Sequence, residues 1–500
     1  MRRAWQDLRP AGFGAKLTEP FVAVPLLVLI ALALRVPNLG ESLWNDEVIY
    51  STHYQIHSWY GLWRFLMENP PAPLYPILTF VWVAVVGDHE LLVRLPSLVF
   101  GLGSIVLTYH IARGAGSNSL AFLAGLVLCL SPAHVWYSQE ATPYAMAMCL
   151  LLAAVYTWSR LKTTPFDASR YALYLVLLLA SVFTHYFAIV FLGPLSLAVP
   201  KRLRWRLLLA HAVVALCLVV ALGIKYLGGS LASPGSFLRP FTIFEWWMLF
   251  FNWFLHGNSL WTISPYRATT DYLLGHPLLL AMQVLCALVL VRGLWPSREK
   301  QGGLLEQSAL ALLLCALPMA LLLPTAAGYH QLYIERYVIV ALPFFAIALA
   351  TGVARFSTAW VRNVLVCALV AIGVGSYAML LVKGTRWTVY KQNPDFRSAA
   401  RVVRTYSPAR GGVAITPLPL ELSYYLDKER PGASGERRAF SPADVEDVLA
   451  ATSIRTVVLA NVQTRPDFGT LLGRFTQDHR LHLTTSQSFK NVDVYVFQRD

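Results

Sequence analysis

Two adjacent carboxylates, Asp46 and Glu47, stand in "SLWNDEVIYS", residues 42–51, just past the first long apolar run and between Trp44 and Tyr50. Such a pair suits general-base chemistry: one acid takes a proton from an incoming hydroxyl or amine while its neighbour binds a cation or orients the acceptor. The same pair also reads as a solvated acidic turn flanked by interfacial aromatics. The loop that carries them also holds His53, His57, Trp59 and Trp63. At roughly 35 residues, a loop this long between apolar segments is more often functional than a spacer.

Other polar residues interrupt the apolar runs near their ends. Arg94 in "LLVRLPSLVFG" and Arg336, followed by Tyr337, in "YHQLYIERYVIVALP" either snorkel to water or hold an anion. A guanidinium fork is suited to a lipid phosphate. Glu335 offers Arg336 a simpler neutralising partner. Glu140 in "AHVWYSQEATPYAM" and His185 with Tyr186 in "FTHYFA" occupy turns between apolar runs, where a structural role competes with substrate binding. His256 closes the aromatic stretch "FEWWMLFFNWFLHGNSLW", and Glu68 precedes the prolines of "MENPPAPLY". Glu68 and His256 together could supply part of an oxygen and nitrogen metal site, although two residues do not specify one.

The elements that must position these residues are membrane helices. The chain has 500 residues, of which 56% are hydrophobic and only 14% charged, too apolar for a soluble protein with one core. Its net charge of +14 comes largely from Lys and Arg beside apolar segments, the distribution of cytoplasmic loops, so nucleic acid is not expected as a partner. The six cysteines fall singly inside apolar runs and indicate neither disulfides nor a thiolate metal site. The basic N-terminus followed by the run Phe21 to Val36, without a small-residue cleavage signal, reads as an uncleaved signal anchor.

Apolar segments near 20–37, 93–112, 118–135, 142–160, 170–184, 186–200, 207–227, 276–294, 304–324, 337–354 and 362–382 predict eleven transmembrane helices. The stretch "PLYPILTFVWVAVVG", residues 73–87, is short and bracketed by Pro71, Pro73 and Gly87. Laid flat in the interface, it puts Arg113, Arg160, the run Lys201-Arg202-Arg204-Arg206, Arg292 and Arg355 on the cytoplasmic side; counted as a span, it inverts nearly all of them. The interfacial reading leaves the N-terminus inside and the C-terminus outside. It also sends the polar clusters, Asp46-Glu47, Arg94, Glu140, His185-Tyr186, His256 and Arg336, to the external face.

Residues 383–500 hold 29 of the 68 charged residues and no long apolar run, so two domains are expected: 1–382 in the membrane and 383–500 as an external α/β domain. A helix is expected around 394–406 and a strand at "GVAIT". Next come a helix opened by Ser441 with Pro442 in its first position, then strands "IRTVVLA", "LHLTTSQS" and "VDVYVFQR".

In this order, "LWNDEVIY", "NPPAPLY", "LLVRLPSLVFGLGSIVLTYHIAR", "SPAHVWYSQEATPYAM", "THYFA" and "ERYVIVALPFFAIALATGV" resemble the GT-C-fold membrane glycosyltransferases, in the branch of the protein O-mannosyltransferases and bacterial aminoarabinose transferases. The resemblance spans roughly residues 20–355. It implies transfer of a sugar from a polyprenyl-phosphate carrier to a protein, lipid or glycan acceptor outside the membrane. Asp46 would be the base and Arg94 would lie near the lipid phosphate. Metal use varies in the family, so a divalent ion is one option, and no organic cofactor is implied. Two departures stand out: Asn69 replaces the His or Lys often found beside the prolines, and Thr142 replaces an arginine in "SQEATPY".

The resulting expectation is an inverting displacement in which Asp46 deprotonates the acceptor while Arg94, Arg336 or a bound cation stabilises the leaving phosphate. The alternative is a transporter or flippase of a lipid-linked intermediate. Transporters place ionisable residues near the bilayer midplane on broken, repeated helices, whereas here Arg35 and Lys225 sit near span ends and no inverted repeat is visible.

Overall fold

Proline interrupts some of the apolar runs, while Pro25 and Pro96 lie inside continuous helices. The computed structural model describes residues 17–69, 71–163, 165–197, 201–228, 249–257, 259–261, 274–295, 335–383, 393–406, 412–428, 437–462, 467–478 and 480–499. Among these, seven helices are long and apolar enough to cross a bilayer: Pro20–Asn38, Glu90–Gly114, Pro143–Leu161, Arg204–Leu227, Pro277–Leu294, Arg336–Ala354 and Ala359–Leu381. Each coincides with an expected span. The expected span at 304–324 lies outside the described residues.

Three runs take other forms. The run expected to span at 118–135 is two helices, Asn118–Leu130 and Pro132–Gln139, bent by 62°. Pro132 has no amide hydrogen and pushes Ser131 out of the helical region, to ψ 120°. The run at 186–200 opens as a 3-10 turn, Tyr186–Phe191, and continues as the short helix Leu192–Leu197. Pro194 removes the amide that would have bonded to the carbonyl of Val190. The run at 170–184 is the 17-residue helix Ala168–Thr184. Residues 73–87 form the helix Leu74–Val86 of 13 residues. At 1.5 Å per residue this covers about 20 Å, too little for a hydrocarbon core of about 30 Å. It follows the helix Trp59–Glu68, which buries Leu62 and Leu66 and exposes Trp59, Tyr60 and Trp63.

The chain divides into two compact units. The first, Met1–Leu39, His57–Val86 and Leu92–Tyr390, is the helical membrane unit. Its core includes Leu27, Tyr109, Leu128, Leu151, Trp158, Phe191 and Phe344. Small residues permit a close helix crossing: a Cβ on Gly293 or on Gly352 would run into the facing backbone at Ala348 and at Val289 respectively.

The second unit comprises Gly40–Ile56, Gly87–Leu91 and Lys391–Asp500. Strands β1 (Gly412–Thr416), β2 (Arg437–Ala439), β3 (Ile454–Val462), β4 (Leu481–Phe489) and β5 (Val492–Arg499) form one sheet in the order β2-β1-β3-β5-β4. β1 pairs in parallel with β2 and β3, while β5 runs antiparallel to β3 and β4. Alternation along the strands feeds two apolar layers. Val413, Ile415, Val458, Val494 and Val496 face one layer with Phe396, Val403 and Leu422. Ala414, Val457, Leu459 and Phe497 face the other with Val445, Leu471 and Phe475. The expected helix at 394–406 appears as Phe396–Tyr406, and Ser441 caps the turn Pro442–Asp444 as its sequence suggests. The helices Leu420–Lys428 and Phe468–Gln477 and strand β2 had not been anticipated.

Candidate active site

In the membrane unit the site grows from three chain turns. The helix Pro132–Gln139 stops at Glu140, and Pro143 opens the next helix, which puts Tyr144 in its first turn. The indole of Trp136 donates to Glu140 Oε2 at 2.5 Å, which fixes this largely buried acid within its own turn. Ser97 donates to the carbonyl of Thr142 at 3.3 Å and lies 3.1 Å from the Tyr75 hydroxyl, locking the same turn to two further helices.

The second turn follows the helix Ala168–Thr184, which ends at His185 in an extended conformation before the 3-10 turn begins at Tyr186. The third is the 3-10 turn Glu335–Ala341, which presents Arg336 and Tyr337; the Glu335 side chain lies outside the described residues. These turns meet. The His185 ring lies 5.3 Å from that of Tyr144, 5.5 Å from Tyr337 and 5.7 Å from Phe187, centre to centre, while Phe187 stacks on Tyr337 at 5.1 Å. The Arg336 guanidinium sits 6.0 Å from the centre of the Tyr144 ring, at the outer limit of a cation–π contact.

Burial, aided by the Arg336 charge, lowers His185 to about 4, so its imidazole is neutral at physiological pH. Its Nδ1, the Tyr186 hydroxyl and the Thr142 hydroxyl are buried without hydrogen-bond partners among the described residues. Buried polar atoms are almost always paired, so three orphans on two of the turns that meet here call for a bound polar molecule or water. The set contains a guanidinium, a neutral imidazole, aromatic faces and unpaired hydroxyls. Chemically it offers a cation for an anionic group and hydrogen-bonding atoms for a polar one.

Arg94 departs from the snorkelling alternative. It is only 2% exposed, and its Nη1 donates to the carbonyl of Leu39 at 2.9 Å. Lys225 was read merely as a charge near a span end, yet its Nζ donates to the carbonyls of Asn69 at 2.9 Å and Pro71 at 2.5 Å. It also lies 5.7 Å from the Tyr186 ring centre. An ammonium thus stands at the very turn where Asn69 replaces a basic residue. The available signal was a lone lysine in the apolar run "ALGIKYL". Tyr144 and Phe187 were also passed over, though both lie in stretches already singled out.

Glu68 is exposed and pairs at 2.8 Å with Arg64 one helical turn earlier. His256 is wholly buried beside Trp261, with ring centres 5.9 Å apart, and burial lowers it to about 3. Among the described residues no group of three or more His, Cys, Asp or Glu side chains could hold a metal ion.

The second unit contains the carboxylate pair, and here the two acids part company. In the helix Asn45–Tyr50, Glu47 is 0% exposed and its Oε2 accepts the Trp44 amide at 2.9 Å, a bond from the third helical residue back to the N-cap. Asp46 is half-buried. Glu47 therefore builds the turn that presents Asp46.

A helical membrane unit joined to a mixed α/β unit, with buried turns gathering cation, imidazole and aromatics, defines a class: the chain is a multi-pass membrane protein with the GT-C glycosyltransferase fold. Residues 69–225 match the family model described as dolichyl-phosphate-mannose-protein mannosyltransferase. Two similar solved structures are of ArnT from Cupriavidus metallidurans. The apo form aligns with a TM-score of 0.56 at 13% identity, and the form bound to undecaprenyl phosphate with 0.54 at 14%. Each comparison covers 95% of this chain and 97% of the other. An oligosaccharyltransferase from Archaeoglobus fulgidus, in complex with zinc and sulfate, aligns with a TM-score of 0.51 at 12% identity over 90% of this chain and 69% of that one. No curated protein matches the chain by sequence. The resemblance read from the ordered motifs thus holds at the level of family segment and fold.

Proposed function

We propose that this protein transfers a sugar from a polyprenyl-phosphate-linked donor to an acceptor on the external side of the membrane. The observation that carries this reading is the set around Arg336, in which a cation and the buried, unpaired polar atoms of His185 and Tyr186 lie among the aromatic rings of Tyr144, Phe187 and Tyr337. A lipid-borne phosphate needs a cation that acts in low dielectric, and a pyranose needs aromatic faces together with hydrogen-bond partners. The ArnT structure with undecaprenyl phosphate bound adds support, because it has the same fold.

In the proposed reaction Asp46 takes the proton of the acceptor hydroxyl or amine. The acceptor atom bonds to the anomeric carbon from the face opposite the phosphate, and the bond from that carbon to the phosphate oxygen breaks. The electron pair leaves with the polyprenyl phosphate. Arg336 stabilises that charge; Arg94, already bonded to the Leu39 carbonyl, braces the end of the first span. Basic residues at the opposite ends of the spans, such as Arg113, Arg160 and Arg206, support an external site by the positive-inside tendency.

The experiment is to incubate the purified protein in detergent with a panel of polyprenyl-phosphate sugars and measure free polyprenyl phosphate. Release that falls on Arg336→Met supports a transferase. Donors that bind but all return intact would identify a carrier of the lipid-linked sugar instead.

A further inference from the structure

The geometry points to the C-terminal domain as the mount of the Asp46 loop, with Tyr425 as a positioning residue for that acid. The loop is part of the domain's interior. Leu43 and Val48 are each 0% exposed and share one apolar layer with Phe396, Val403, Leu422 and Val458. Remove that layer and the six-residue helix Asn45–Tyr50 has too few turns to persist by itself.

Polar bonds from the domain then fix the loop backbone on the approach to Asp46. The Leu43 amide donates to Tyr425 Oη at 2.9 Å, and that hydroxyl donates onward to Glu90 Oε1 at 3.0 Å. Arg397 reaches the same Glu90 oxygen at 3.2 Å and the carbonyl of Gly40 at 3.0 Å. Asn393 donates to the carbonyl of Ser42 at 2.9 Å, and the Ser42 hydroxyl donates to Asp395 at 3.2 Å. Residues 40, 42 and 43 are thus tied by side chains lying more than 300 positions later in the chain, and the next amide, of Trp44, is taken by Glu47. Asp46 follows with its backbone fixed before and after it.

Tyr425 is the hub because its hydroxyl is used twice, once as acceptor and once as donor. Loss of that oxygen leaves a buried amide and a buried carboxylate each short of one partner, while the ring that fills the apolar layer stays. A reacting group displaced by about 1 Å can lose up to about 100-fold in rate. The effect belongs in kcat, since Tyr425 is buried and acts through the loop backbone it holds.

The inference rests on Asp46 as base, and the test separates the two. Full-length Tyr425→Phe, Asn393→Ala, Asp46→Asn and the Tyr425→Phe/Asp46→Asn double variant are compared with wild type on the polyprenyl-phosphate sugar it turns over, with thermal unfolding followed alongside. Expected for Tyr425→Phe is a kcat lower by about 10- to 100-fold with donor KM unchanged. Asn393→Ala should shift kcat in the same direction, and Tyr425→Phe should add nothing in the Asp46→Asn background. Wild-type kcat in both mounting variants while Asp46→Asn is inactive would overturn the mount alone. A Tyr425→Phe loss that persists in the Asp46→Asn background, or that moves KM together with the unfolding temperature, would reduce Tyr425 to a packing role. An Asp46→Asn protein with full activity would overturn the base itself.

Discussion

The adjacent acids give the sharpest test, because the structure assigns them unequal work. Glu47 is wholly buried and accepts the Trp44 amide at 2.9 Å, so Glu47→Gln keeps an oxygen acceptor for that amide and loses the charge assistance of the bond. A charge-assisted bond exceeds a neutral one by about 1 kcal/mol, so if all of that loosening reached the rate, kcat would fall about fivefold. Glu47→Ala removes the cap altogether and costs about 1 to 2 kcal/mol of local helix stability, up to about 30-fold. Asp46→Asn removes the proposed proton acceptor while keeping the shape of this half-buried side chain, a loss of about 10²- to 10⁴-fold in kcat. Single-turnover transfer from a labelled lipid-linked sugar, at matched levels of folded protein, measures all three. The reasoning fails if Glu47→Gln falls as far as Asp46→Asn, or if Asp46→Asn transfers at the wild-type rate.

Arg336→Met keeps the apolar stem and drops the charge, with an expected loss of about 10²- to 10³-fold in kcat. Arg336→Lys should recover only part of it, because a point charge cannot make the guanidinium fork; full recovery would refute a forked contact. Gly352→Ala would drive a methyl group into the carbonyl of Val289, costing about 1 to 3 kcal/mol, read as a lower unfolding temperature in detergent; an unchanged value would mean that the helices part freely. His185 is held at about 4, below its free value of 6.5, so between those values the unfolded chain binds more protons and stability rises with pH. Its stabilising share is complete above about pH 6.5 and is lost as pH falls toward 4, at up to about 1.4 kcal/mol per pH unit. Wild type should therefore lose more stability than His185→Phe between pH 7 and pH 4.5; equal losses would show that this histidine is not buried neutral.

The features legible in the sequence are local. Run length and proline placement marked the spans, because apolar transfer to lipid and the missing amide of proline act within a few residues. Even so, the run across Pro132 is two helices bent against each other and the run before Pro194 tightens into a 3-10 turn, since hydropathy registers composition and not backbone geometry. Strands β1, β3, β4 and β5 are legible as short strand-type runs, whereas the three-residue β2 is too short to carry any pattern.

Tertiary structure alone decided how the polar residues are used. Nothing near Leu43 announces Tyr425, and nothing near His185 announces Tyr144 or Arg336. Likewise Arg94 and Lys225 look like snorkelling cations until the carbonyls they bind are seen. Such bonds join positions far apart in the chain and depend on which atoms the fold leaves unpaired, a quantity that exists only once the chain has packed.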